Sequence, residues 1–82
     1  MQLYMQLSKL EVYVTILEVL NQKGKLPLGE IEASIKAEVG LTKKCIDLLT
    51  KQRFLEKQKN HNNDEVYYNT ARGQNVLEFF FP

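Results

Sequence analysis

The sequence is poor in the residues from which reactive centres are built. Cys45 is the one cysteine, which excludes an intramolecular disulfide and agrees with a reducing compartment. Placed on the inward side of a helix, it reads as a small buried hydrophobe. His61 is the one histidine and stands in a polar turn near Asp64, too little for a metal site. Asp64 and Glu65 are adjacent beside a strand, so they point to opposite faces and make a poor catalytic pair. No Gly-rich phosphate loop and no nucleophile with a nearby base can be found, so neither an enzyme nor a cofactor or small-molecule ligand is expected. Long apolar runs are also missing, and none approaches the roughly 20 residues that span a bilayer. The first ten residues lack a basic segment, and Gln2 and Gln6 interrupt what would be the apolar core of a signal peptide. The expectation is a cytoplasmic protein.

What is present is an ordinary globular composition, 44% hydrophobic and 26% charged over 82 residues, which supports one domain with a small core. The net charge of +1 is uninformative until it is divided along the chain. Residues 1–35 carry three lysines against four glutamates, residues 36–60 carry seven Lys/Arg against three acids, and residues 61–82 carry one Arg against three acids. The basic excess is therefore local, as on a phosphate-binding face or a solvated lysine surface.

Periodicity places the elements. Ser8 and Glu11 form a capping box ahead of Leu10, Tyr13, Leu17 and Leu20, which predicts a helix from Lys9 to near Gly24. Its apolar arc, widened by Val12, Val14, Ile16 and Val19, is too broad for packing on one side only. Gly24 to Leu26 form a short extended link before Pro27, and a second short helix from Leu28 carries Ile31 and Ile35 inward, ending between Lys36 and Val39. A third helix begins between Glu38 and Leu41. Its wheel puts Val39, Thr42, Cys45, Ile46 and Leu49 on one side, with Leu41 and Leu48 at the border, and Gly40, Lys43, Lys44, Asp47 and Lys51 on the other. Alternation then predicts strands over 54–59 and 65–69, joined by KNHNND, whose asparagines tolerate the left-handed backbone of tight turns. Thr70 can cap a last helix that ends at Pro82.

The order helix, short strand, helix, helix, β-hairpin, helix is α+β, mainly α, and is that of a winged helix-turn-helix domain. The segments SKLEVYVTILEVL, IDLLTKQRFLE and YYNTARGQNVLEFF, together covering roughly residues 8–81, resemble those of small archaeal winged helix-turn-helix DNA-binding transcriptional regulators. Arg53 stands where that family usually has glycine, and Asn69 where it usually has an apolar residue before Thr70.

The resemblance implies double-stranded DNA as partner, with the third helix in the major groove and the hairpin wing at the flanking backbone or minor groove. The DNA-contacting set is then Gly40, Thr42, Lys43, Lys44, Asp47 and Lys51 on the helix, with Lys57, Lys59, Asn60, His61 and Asn62 on the wing. Asp47 could accept from a cytosine amino group or simply repel phosphate. A protein-protein interaction module without DNA binding is the alternative reading.

The chain ends point to self-association. Phe79, Phe80 and Phe81 follow Val76 and Leu77 too closely for one helical face to bury them all. Met1, Leu3, Met5 and Leu7 alternate with polar residues like an edge strand. With Val12 on the wide first helix, they predict a homodimer in which an extension over residues 1–7 and a C-terminal helix over 70–82 flank the domain.

Overall fold

Both halves of the predicted capping box form. Ser8 Oγ accepts from the Glu11 N–H at 3.2 Å, Glu11 Oε1 accepts from the Ser8 N–H at 2.8 Å, and α1 runs Lys9–Lys23 from that start. The computed structural model describes residues 7–81, so the alternating pattern of residues 1–6, with Leu3 and Met5, lies outside the described residues. The other elements are α2 (Leu28–Ser34), α3 (Leu41–Lys51), β1 (Leu55–Lys59), β2 (Glu65–Asn69) and α4 (Ala71–Phe80). The two strands pair antiparallel in the register Leu55↔Asn69 through Lys59↔Glu65.

The wide apolar arc of α1 has a simple explanation. This helix is central, packed against α2, α3, α4 and β2. Val12, Ile16, Leu17 and Leu20 are buried, and Tyr13, Val14 and Val19 lie half-buried against the same core. Val12, expected at a dimer interface, is 0% exposed within the single chain and cannot reach a partner. Ile31, Ile35, Cys45, Ile46, Leu49, Leu55, Tyr67 and Leu77 complete the core.

Between α1 and α2, Leu26 exchanges both backbone hydrogen bonds with Tyr67, at 3.1 and 2.8 Å. The expected short strand is thus a single bridge on the edge of the hairpin. Helix α2 ends at Ser34, earlier than periodicity predicts, where Ile35 turns extended at φ −126° to drop its side chain into the core. The turn that follows ends at Gly40, whose φ of 84° is left-handed and suits a residue without Cβ. Helix α3 therefore begins at Leu41, and Val39, expected on the inward side of that helix, precedes it and points to solvent.

Helix α3 closes through Arg53, at φ 66°, with the Phe54 N–H donating to Leu49 O at 2.9 Å. Glycine would hold this conformation without strain, whereas an L residue carries about 1–2 kcal/mol of it. At the same root of the hairpin, opposite Leu55, Asn69 Nδ2 donates to Leu17 O at 2.8 Å, tying β2 to α1, while its Oδ1 is buried without a partner among the described residues. Val66 and Tyr67 are both buried, so the middle of β2 is covered on both faces.

Thr70 joins three elements. Its hydroxyl accepts from the Gly73 N–H at 3.2 Å and lies 2.7 Å from Arg53 O and 3.1 Å from Phe54 O, while its N–H donates to Phe54 O at 3.1 Å. Helix α4 comes so close to the start of the hairpin that a Cβ at Gly73 would run into Phe54 O.

Candidate nucleic-acid interface

An amphipathic α3 presents one polar ridge. Behind it, Thr42, Cys45, Ile46 and Leu49 are buried, and in front Gly40, Lys43, Lys44, Asp47 and Lys51 are exposed. Thr42, expected among the DNA contacts, is 4% exposed and faces the core, because a position between Gly40 and Lys43 falls on the far side of a 3.6-residue turn. Burial pushes the Cys45 thiol above its ordinary value, so it stays protonated and unreactive. No Cβ at Gly40 would meet another atom, which leaves the ridge bare where the helix begins.

The ridge is not uniformly cationic. Lys43 Nζ lies 3.1 Å from Asp47 Oδ2 across one helical turn, and the hydrogen bond and charge of Asp47 hold the ammonium above its ordinary range. Both side chains are well exposed, so the pair contributes little to stability. It does decide which cations are available. Lys44 and Lys51 have no ion-pair partner among the described residues.

The wing tip is held by Asn60. Its Oδ1 accepts from the N–H groups of Asn62 at 2.9 Å and Asp64 at 3.0 Å, and Asn63 adopts a left-handed φ of 67°. The carboxamide oxygen of Asn60 is therefore engaged within the turn, whereas His61 and Asn62 are exposed at the tip. Lys57 and Lys59 share a strand face, but Lys57 Nζ is 3.9 Å from Glu65 Oε2, and Lys59 is paired in register with the same Glu65.

Sequence reasoning missed Lys25. Its Nζ donates to Gln58 Oε1 at 3.1 Å and lies 5.2 Å from the centre of the Tyr68 ring, fastening the link after α1 to the wing. No local pattern signals this contact, which spans 33 residues. Among the described residues, no group of three or more His, Cys, Asp or Glu side chains could hold a metal ion. No helix among them is long and apolar enough to cross a membrane.

A second surface lies at the α4 end. Phe79 is 82% exposed and meets Phe80 edge to face at 5.5 Å, whereas Phe81, also exposed, lines a separate cleft with Glu18, Asn21 and Gln22 of α1. Phe54, Arg72, Asn75, Val76, Phe79 and Phe80 line an apolar groove of about 550 Å³, with the Arg72 guanidinium 4.5 Å over the Phe54 ring. Leu7 and Val76, expected at a dimer interface, are half-buried against this chain's own core.

No protein-family model and no curated protein matches the chain. Solved structures do. A transcriptional regulator of the MarR family from Silicibacter pomeroyi superposes with a TM-score of 0.77 at 21% identity, over 93% of this chain and 51% of that one. A second MarR family transcription regulator gives 0.72 at 17% identity, over 82% and 46%. The protein smu.1704 from Streptococcus mutans gives 0.80 at 20% identity, over 95% and 79%. The chain spans about half the length of the two MarR-family structures. Four helices and a two-stranded hairpin in this order, superposing on these structures, make the fold a winged helix-turn-helix.

Proposed function

We propose that the chain is a cytoplasmic double-stranded DNA-binding protein and a transcriptional regulator, laying α3 in the major groove and the wing against the flanking backbone or minor groove. The observation that carries this reading is the division of α3 into a buried face and an exposed ridge bearing three lysines. The major groove admits one α-helix, and Lys44 and Lys51 are free to meet phosphates or guanine acceptors. Lys43 can join them by exchanging Asp47 for an oxygen of the nucleic acid. Likeness to two proteins described as MarR-family transcription regulators supports the reading.

A homodimer completes it. Phe79 and Phe80 expose an aromatic pair that borders an apolar groove, Phe81 is exposed at a separate cleft, and a small monomer seldom leaves such apolar surface in water. Twofold pairing there would present two copies of α3 to half-sites roughly 34 Å apart. The test is a mobility shift on selected and random duplexes at several salt concentrations, with sedimentation in parallel. Binding that weakens steeply with salt, and falls again in Lys44→Ala and Lys51→Ala, is expected. Unchanged affinity in both variants would remove α3 as the reading element, and a monomer at tens of micromolar would remove the dimer.

A protein-interaction module is favoured by one specific observation: the Lys43–Asp47 and Lys57–Glu65 pairs lower the free positive charge on both candidate contact elements. Random duplex at low salt separates the readings, because a groove-binding domain retains roughly micromolar or better non-specific affinity there.

A further inference from the structure

Val39 is the most exposed large hydrophobic side chain among the described residues, at 105% of its reference area. Single exposed apolar residues are common and by themselves mean nothing. Two features set this one apart. It stands immediately before Gly40, at the end of α3 where a groove-reading helix makes its base contacts, beside an otherwise polar ridge. It also edges a cleft of about 250 Å³ whose other walls include Glu32, Glu38 and the bare backbone at Gly40. Two carboxylates beside Val39 disfavour a phosphate at this spot, so the surface suits the edge of a base. The one apolar feature that a base pair presents in the major groove is the C5-methyl of thymine.

We infer that Val39 is a specificity-determining contact, its isopropyl group packing on a thymine methyl in each half-site. The inference rests on the DNA-binding reading above and deepens it. Burying one methyl group from water corresponds to about fourfold in affinity.

The test uses the full chain and a duplex recovered by selection from a random pool, with each thymine replaced in turn by deoxyuridine, which differs only in lacking that methyl. At one thymine per half-site the replacement should weaken binding about fourfold. Val39→Ala should bind the thymine duplex more weakly and lose nothing further on the uracil duplex, the coupling expected of groups in direct contact. The variant should melt with the parent, since the side chain packs on nothing. Tight binding that tolerates uracil everywhere, or a uracil penalty that persists in Val39→Ala, overturns the inference and leaves the DNA-binding reading standing. A chain that shifts no duplex at all overturns both.

Discussion

Gly73→Ala should destabilise the domain, although alanine is the better helix former. In a helix interior the exchange would favour folding by about 0.8–1.0 kcal/mol, and less at Gly73, the third residue of α4. Against this stands the collision of the new Cβ with Phe54 O, with Leu17 Cδ2 a further contact at 3.3 Å. Phe54 O belongs to the backbone and cannot rotate away. It also accepts from the N–H of Thr70 at 3.1 Å, with the Thr70 hydroxyl at the same distance. Relief therefore requires α4 to back off and stretch bonds worth about 1 kcal/mol each. Overpacking of this kind typically costs about 1–3 kcal/mol, which outweighs the propensity gain. The expected net loss is roughly 0.5–2.5 kcal/mol, and at roughly 4–8 °C per kcal/mol for a domain of this size the melting temperature falls by several degrees or more. Thermal and urea melts followed by far-UV circular dichroism read it directly. Gly29→Ala in α2 is the control: no atom lies within 4 Å of its Cβ position, so it should raise stability by about 0.4–1 kcal/mol. If Gly73→Ala melts at or above the parent, or both variants shift in the same direction, the close-approach argument is wrong.

Three further outcomes are expected. Arg53→Gly removes left-handed strain of about 1–2 kcal/mol at the price of greater backbone freedom in the unfolded chain, so its urea midpoint should rise by an amount corresponding to at most about 1 kcal/mol. Asn69→Asp replaces a donor to Leu17 O by a half-buried carboxylate, and the melt should show a loss of at least about 2 kcal/mol at neutral pH; equal stability would mean that the bond from β2 to α1 contributes nothing. Asp47→Asn frees Lys43 and removes a negative charge from the α3 ridge, so affinity for random duplex should rise and the salt dependence steepen by about one phosphate's worth, as titrations at several salt concentrations would record. A fall in affinity for the selected duplex alone would instead make Asp47 a base contact.

Where local chemistry decides structure, the sequence could be read closely. Ser8 and Glu11 announce the start of α1, and Thr70 that of α4. The exposed ridge of α3 follows from the same periodicity. The pattern misleads where it runs past its element. Val39 falls inward only if the helix already exists there, and the left-handed Gly40 delays its start to Leu41. An apolar arc as wide as that of α1 suggests a partner for Val12, but the same width suits a helix surrounded by its own chain. The approach of Lys57 to Glu65 depends on strand register, and the contact of Lys25 with Gln58 on the tertiary fold, neither of which a linear pattern encodes.

The knot of bonds around Phe54 O has a mechanical consequence. The exit of α3, the root of the wing and the start of α4 meet at a single carbonyl, so none of them can swing as an independent arm. Ten residues of α4 extend about 15 Å from that point to the aromatic end. A load on the phenylalanines is carried back along α4, past Leu77 in the core, to the foot of the lysine-bearing helix.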